Sequence, residues 1–210
     1  MSLLELFKMG GLFMWPLLFF SVATVAIVIE RALFIFRHNL RLGDVREQCL
    51  SYIQERNIAE AGRYLQTLLN RRLGSRILLA MIKRHNLSES RMEKAAEAEA
   101  LSCINSLENG FNFLTALSSL APLTGFLGTV SGMIGAFKSI AEATEVNAQI
   151  VANGIYEALI TTVFGLIIAI IAMSAHILFT HVTDKFAAEV EITCSDLATE
   201  IAATGKMEGP

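Results

Sequence analysis

The feature that most constrains this chain is a run of small residues inside a long uncharged stretch, which extends from Asn109 to Phe137. Glycines recur within it at intervals of three and four residues, a spacing that places them on one face of an α-helix. In lipid, such a face lets two helix backbones approach closely. The run therefore predicts a membrane helix that packs tightly against other helices, through Gly125, Gly128, Gly132 and Gly135.

Two further uncharged stretches are long enough to cross a bilayer as helices, which takes about 20 predominantly apolar residues. One extends from Met9 to Ile29 and the other from Ala158 to Thr183. Hydrophobic residues make up 53% of the chain and charged residues only 18%, unlike the composition of a soluble domain. The sequence therefore predicts an all-α integral membrane protein with three transmembrane helices and long helices that extend into the cytoplasm.

The pattern divides the chain into six segments, three of which contain a membrane helix. In chain order they are an amphipathic segment with the first transmembrane helix, a cytoplasmic helical domain, the second transmembrane helix, a periplasmic link, the third transmembrane helix, and a cytoplasmic C-terminal helix and tail. Their bounds are 1–36, 37–108, 109–140, 141–149, 150–183 and 184–210.

The orientation follows from the basic residues, since Lys and Arg in short flanking segments stay on the cytoplasmic side. Thirteen of the seventeen lie between the first and second spans. We therefore expect the N-terminus outside the cytoplasm, which is the periplasm if the protein lies in a bacterial inner membrane, and a cytoplasmic C-terminus. The first span has no clear small-residue cleavage site, so we expect a retained anchor rather than a signal peptide.

The cytoplasmic segments read as helices. From Leu42 to Lys83 the apolar spacing predicts two or three helices joined near Gly62 and Gly74. Ser88 or Ser90 is expected to cap the next helix, which should continue into the second span as one long helix. After the third span one helix face repeats apolar residues, which indicates packing within a subunit or a helical collar between subunits. These residues are Phe186, Val190, Leu197 and Ile201.

The third span carries a ridge of small residues and three polar side chains. Two small-faced helices joined by a short link should pack as a hairpin or line a shared interface. An ionisable residue at membrane depth is costly and usually faces a polar pathway. A threonine hydroxyl can instead bond to a carbonyl of the preceding turn, and a carboxylate can reach interfacial water. The polar residues are Glu157, Thr161 and Thr162, and the ridge includes Gly154 and Gly165.

Several classes of function are disfavoured. The cysteines lie in predicted cytoplasmic segments without paired spacing, so we expect reduced thiols and no metal site. A net charge of −3 is too small to indicate a nucleic-acid partner. The chain has no Walker loop, no zinc-protease motif and no nucleophile elbow, so we expect no enzyme. A passive membrane scaffold and a self-contained channel stay open. The cysteines are Cys49, Cys103 and Cys194.

In its second and third membrane segments above all, the chain resembles the MotA/TolQ/ExbB family, most closely its ExbB and TolQ branch. The resemblance rests on Ala-Pro-Leu-Thr-Gly-Phe-Leu-Gly-Thr-Val-Ser-Gly-Met-Ile at 121–134 and on Gly-Ile-Tyr-Glu-Ala-Leu-Ile-Thr-Thr-Val-Phe-Gly-Leu at 154–166. Met9-Gly10-Gly11-Leu12-Phe13-Met14-Trp15-Pro16-Leu17 is similar to the family's first membrane segment. The resemblance covers nearly the whole chain, although the cytoplasmic segment matches mainly by its position between the first and second membrane helices.

The resemblance implies a subunit of a bacterial inner-membrane motor that forms a ring, typically a pentamer, around two single-span partner helices of the ExbD or TolR kind. It implies use of the proton-motive force, lipid surroundings, a TonB- or TolA-like protein further downstream, and no cofactor. By motif, Thr129 and Thr162 correspond to the family's pore-facing threonines and Glu157 to the glutamate of its third helix. Pro122 matches the proline near the start of the second-helix run.

The chain departs from the ExbB pattern at Thr161 and Thr162. This hydroxyl pair resembles the threonine pair of sodium-type stators, and monovalent hard cations need several oxygen ligands. Proton use is the first expectation and sodium use the alternative. The sequence leaves open which downstream system is powered: TonB-type import, Tol-type envelope maintenance or surface motility.

Overall fold

The computed structural model describes residues 3–142 and 148–206, although not every side chain in these ranges; that of Glu157 is among those left out. Eight α-helices and no strand occur in these ranges, so the all-α prediction is confirmed. The predicted link at 141–149 falls largely on residues 143–147, which lie outside the described residues. The helices are α1 (Leu3–Met9), α2 (Met14–Arg37), α3 (Gly43–Gln54), α4 (Ile58–Leu68), α5 (Leu73–Ile82), α6 (Glu89–Glu108), α7 (Phe111–Glu142) and α8 (Ala148–Lys206).

Three helical stretches are long and apolar enough to cross a membrane, and they include α2, α7 and most of α8. Their large apolar side chains face outward: Phe19, Phe126 and Ile170 are each more than 60% exposed. An apolar exterior on helices with internally satisfied backbones is stable in lipid and unstable in water. The prediction of three membrane helices is therefore confirmed.

The structure divides into two compact units. The membrane unit comprises residues 1–30 and 110–178, and the hydrophilic unit comprises residues 31–109 and 179–210. The helices α2 and α8 each contribute residues to both units.

The segment before α6 contains three helices, in agreement with the predicted two or three, and one of the two predicted joins is wrong. The join between α4 and α5 ends at Arg72, near Gly74 as predicted, but Gly62 lies inside α4. The turn between α3 and α4 instead uses Arg56, which has a φ of 56°, in the left-handed region. Asn57 follows as the N-cap of α4, and its side chain accepts the backbone N–H of Glu60. A polar cap therefore sets this boundary, which the glycine positions did not indicate.

The predicted single helix from Ser88 into the second span is interrupted at Asn109 and Gly110. Gly110 has a φ of +87°, a conformation that favours glycine and ends an α-helix. Ser88, one of the two predicted caps, occupies the N-cap position of α6, but its side chain makes no capping hydrogen bond. By contrast, α8 continues without a break through Asp184, because no glycine or proline occurs between Gly165 and Gly205 to end it.

The hydrophilic unit has a continuous apolar core. The predicted stripe near the C-terminus is buried there, together with Leu65, Ile77 and Leu107 from α4, α5 and α6. Packing within one subunit is thus the correct interpretation for this stripe, which consists of Phe186, Val190, Leu197 and Ile201.

Cys49 gives a test of this core. Its side chain is fully buried, and burial raises the pKa of the thiol from an ordinary 9.0 to about 12. The thiolate is the nucleophile that attacks alkylating reagents, so we expect Cys49 in the folded protein to react at least about a hundredfold more slowly than in the unfolded chain at pH 8. Peptide-resolved mass spectrometry after timed iodoacetamide treatment measures this ratio. Equal rates in native and urea-unfolded protein would contradict the core.

Candidate functional site: the contact between α7 and α8

The helices α7 and α8 pack against each other in antiparallel register inside the membrane unit. Early α7 meets late α8, where Gly165 approaches Ala121, and late α7 meets early α8, where Gly154 approaches Ala136. Between them, Gly125 lies against Thr161. Small residues therefore face each other along the contact, as the sequence predicts for a hairpin of two small-faced helices.

The glycines in this contact leave no room for a side chain. A Cβ on Gly165 would lie 2.6 Å from the Ala121 carbonyl oxygen, and one on Gly125 would lie 2.8 Å from the Thr161 carbonyl oxygen. Gly132 is nearly as close, with the Gly154 carbonyl oxygen 3.1 Å from its Cβ position. These neighbours are backbone atoms, so the two helices would have to separate to admit a methyl group.

Gly128 and Gly135 differ from these glycines, because backbone atoms are not what lies nearest to their Cβ positions. Gly128 faces the side chain of Thr161, whose Cβ would lie 2.7 Å from a Cβ on the glycine. Gly135 has nothing within 4 Å of its Cβ position. Pro122 lies inside α7, directly after the Ala121 residue that Gly165 approaches. The close contact thus extends from the level of Pro122 to Gly132 and Ala136 and leaves Gly135 beside it.

Two hydroxyl groups of α8 meet one carbonyl group of α7. The Thr161 hydroxyl is buried; it lies 2.8 Å from the Ala158 carbonyl oxygen in its own helix and 3.2 Å from the Gly125 carbonyl oxygen. The Thr162 hydroxyl also donates to Gly125, at 3.3 Å, and this side chain is half-buried. Gly125 permits this cluster, because it brings the α7 backbone within hydrogen-bonding reach of α8.

Thr129 makes a different interaction. Its hydroxyl donates to the carbonyl oxygen of Phe126 in the preceding turn, at 2.6 Å, and the side chain is half-buried. This is the local bond that hydroxyl side chains commonly form in membrane helices. A hydroxyl that donates its hydrogen still has lone pairs that accept a hydrogen bond or bind a cation.

Thr129 and Thr162 occupy the same flank of the helix pair. Thr129 directly follows Gly128, and Thr162 directly follows Thr161, and these two preceding residues contact each other. Each residue of an α-helix is rotated by about 100° from the one before. In antiparallel helices that face each other, this rotation moves both successors to the same side. Two half-exposed threonines therefore border the same flank of the helix pair.

The remaining predicted site residue is Glu157. It lies in α8 one turn before Thr161, and its side chain lies outside the described residues.

Thr24 and His176 are further polar residues that the membrane unit encloses, and neither is among the predicted site residues. Thr24 in α2 is buried, and His176 in α8 is half-buried with its ring edge-on to Phe111, at 5.9 Å between centroids. Within the described part of the chain, neither Thr24 Oγ1 nor His176 Nδ1 has a hydrogen-bond partner. The signal in the sequence is a lone polar residue inside an apolar span, which alone does not distinguish burial from exposure.

Comparison with known proteins identifies the family. The model of the MotA/TolQ/ExbB proton channel family matches residues 63–192, more than half of the chain. An ExbB-like protein of Synechocystis sp. is 34% identical over 184 residues, which cover 81% of this chain and 68% of that protein. The biopolymer transport protein exbB1 of Vibrio cholerae is 30% identical over 199 residues, 91% of this chain and 85% of that protein.

A relative from the TolQ side matches a shorter region. The Tol-Pal system protein TolQ of Haemophilus influenzae is 45% identical over 73 residues, which cover 35% of this chain and 32% of that protein. The residues of the family match include the whole α7–α8 contact described above. The chain belongs to the MotA/TolQ/ExbB proton channel family, in its ExbB/TolQ-like branch, and is a multi-pass inner-membrane protein.

Proposed function

We propose that this chain is the ring-forming subunit of an inner-membrane motor that couples proton flow to mechanical work across the periplasm. The ring is a homo-oligomer, a pentamer by resemblance, around a dimer of an ExbD- or TolR-like single-span protein. The N-terminus lies in the periplasm and the C-terminus in the cytoplasm, with the basic segment between α2 and α7 held on the cytoplasmic side.

The observation that carries this proposal is the pair of half-exposed threonines, Thr129 and Thr162, on the same flank of the α7–α8 pair. Threonine cannot ionise at ordinary pH, so these hydroxyls do not store the proton. They accept hydrogen bonds from a protonated carboxyl group of the partner, or from water, along a dry path. Glu157, which lies one turn before Thr161 in α8, belongs to the same proposed pathway, since an ionisable residue at membrane depth usually faces a polar pathway.

The position of Thr161 favours protons over sodium. A sodium ion in a membrane site requires several oxygen ligands at once. The residue Thr161 is only 1% exposed, and its hydroxyl lies between two carbonyl oxygens at the contact of α7 with α8. One of the two neighbouring hydroxyls is therefore occupied in packing, and Thr162 alone of this pair faces the flank. Sodium transport stays the second candidate, because the Thr161 hydroxyl would become a second oxygen ligand beside that of Thr162 if α7 and α8 moved apart.

Two relatives differ in the system that their names record, since one is a biopolymer transport protein and the other a Tol-Pal protein. This chain could therefore work with a TonB-like or a TolA-like protein. The experiment is rescue of a strain that lacks its own ExbB and TolQ proteins, by this chain expressed with an ExbD- or TolR-like partner. Siderophore-dependent growth reports TonB-type function, and resistance to detergent reports Tol-type function.

We expect rescue of one of these two phenotypes, and we expect a protonophore to abolish it. The control is the same chain without the partner, which should not rescue. Rescue of neither phenotype by a protein that is present in the membrane as an oligomer with its partner would contradict the proposal and favour a passive scaffold.

A further inference from the structure

In the hydrophilic unit, α6 and α8 each carry two stripes of residues: one is buried in the core, and a second lies beside it. On α6 the buried stripe includes Met92 and Cys103, and on α8 it includes Phe186 and Leu197. About a quarter turn further round each helix, small and apolar side chains line an open groove. A helix that packs only within its own subunit needs one apolar stripe, so the second stripe indicates a second packing partner. It includes Ala100, Leu101 and Ile104 of α6, with Ala187 and Cys194 of α8.

The groove has an apolar floor and acidic edges. Its volume is about 530 Å³, and Leu101 on its wall is 57% exposed. Glu93, Glu97 and Glu191 stand along it, all three exposed. We call this surface the acidic groove. An occupant that covers the apolar floor also removes water from the carboxylates, which is costly unless the occupant brings positive charges.

The chain itself contains the complementary charge. Residues 43–88, which include α3, α4 and α5, hold eight Lys and Arg residues and four Asp and Glu residues. The reverse holds for residues 89–108 and 179–206, which together have ten acidic and four basic residues. Exposed arginines occur on α4 and at its ends; we call them the basic surface, and they are Arg56, Arg63 and Arg71.

In one copy of the chain, the helices that carry or adjoin the basic surface pack against the unit's core and not into the acidic groove. The α5 helix covers the buried stripe of α6, where the Cys103 Sγ atom lies 4.0 Å from the Leu73 carbonyl oxygen. The acidic groove lies a quarter turn away from that stripe. A second copy of the chain can bring its basic surface to the groove.

We propose that the acidic groove between α6 and α8 binds the basic surface of a neighbouring copy of this chain. The inference rests on the ring of the proposed function and names the surfaces that join its subunits outside the membrane. Because the two surfaces are different patches, the interface is heterologous, and a heterologous interface that closes on itself makes a ring rather than an isolated dimer. Electrostatic complementarity of this kind also fixes the register between neighbours.

Cys194 is the natural reporter, because it lines the groove while Cys49 and Cys103 are buried in the core. The test variant is Glu97→Arg with Glu191→Arg, and the compensated variant adds Arg63→Glu and Arg71→Glu to the same chain. The matched control reverses two carboxylates that belong to neither surface, exposed Glu47→Arg with half-buried Glu200→Arg. Maleimide labelling of Cys194 is measured by peptide-resolved mass spectrometry on the complex with its partner in lipid nanodiscs, and native mass spectrometry counts the subunits.

We expect Cys194 to react at least about tenfold faster in the test variant than in the wild type, since like charges then face each other across the interface. The compensated variant should return to the wild-type rate, and the control should keep it. Raising the salt from about 0.05 M to about 0.5 M should speed labelling of the wild type, because the attraction is screened.

Equal Cys194 rates in the wild type and the test variant would overturn the inference, and so would a compensated variant that stays fast. If these results appear while the wild type forms an oligomer and rescues cells, this interface alone is wrong. If the wild type is monomeric in the nanodisc, the ring of the proposed function is wrong and the inference falls with it.

Discussion

Replacing Gly165 by valine should separate α7 from α8 and abolish assembly of the membrane unit. The nearest atoms to the new Cβ are the backbone oxygen of Ala121 at 2.6 Å, its carbonyl carbon at 3.2 Å and the Cα of Gly125 at 3.3 Å. Overpacking of a tight contact usually costs about 1–3 kcal/mol, and here no flexible side chain can move aside, so we expect a loss of about 3 kcal/mol or more. Thermal unfolding of the purified protein in detergent measures this loss.

Gly135→Val is the matched control, because the same substitution is made at a helical glycine with nothing within 4 Å of its Cβ position. Its unfolding free energy should change by no more than about 0.5 kcal/mol. If Gly165→Val unfolds at the wild-type temperature and still forms an oligomer, the helix contact described here is not the one that the protein uses. Similar damage from both variants would point to a general intolerance of valine rather than to this contact.

Replacing Thr162 by valine should remove ion transfer while the protein still folds. The two side chains have nearly the same shape, and the lost hydrogen bond to Gly125 is long, at 3.3 Å, so the expected cost in stability is about 1 kcal/mol or less. In the proposed function this hydroxyl accepts a hydrogen bond from a neutral carboxyl group or from water, and leaving such a donor unsatisfied in a dry path costs about 1–3 kcal/mol. If Thr162 contacts the ion in transit, its loss slows partner-dependent proton uptake by about tenfold or more.

Thr124→Val controls for the loss of a hydroxyl from this part of the membrane. The Thr124 hydroxyl donates to the Leu120 carbonyl oxygen in its own helix, at 2.9 Å. We expect proton uptake within about twofold of the wild type, since only a local bond on α7 is lost. Equal uptake by Thr162→Val and Thr124→Val, both at wild-type levels, would remove Thr162 from the pathway and leave it a packing residue.

Much of the fold could be predicted because membrane helices leave a simple record in the sequence. A bilayer demands long uncharged stretches, and close helix packing demands small residues at intervals of three and four. The helix ends were harder to predict. Gly62 looked like a break but lies inside α4, while Asn57 and Gly110 determine boundaries through a side-chain cap and a positive φ. Those conformations depend on tertiary neighbours that a single sequence does not specify.

The candidate site was predictable in its residue types and less so in its geometry. The small-residue pattern indicated that α7 and α8 would meet, but it could not separate Gly135, which is open, from Gly125, which is closed by backbone. Nor could it distinguish the neighbours Thr161 and Thr162, one buried against α7 and the other half-exposed. Helix rotation and register decide both differences, and a shift of one residue would exchange the roles of the two threonines.

The most direct test of the central claim is ion uptake by proteoliposomes that contain this chain with and without its single-span partner, under an imposed pH gradient and, separately, a sodium gradient. The account predicts proton uptake that requires the partner, with sodium uptake at the background level. Proton uptake by this chain alone would indicate a self-contained channel. No uptake of either ion by an intact complex would contradict ion-driven function and leave a scaffold.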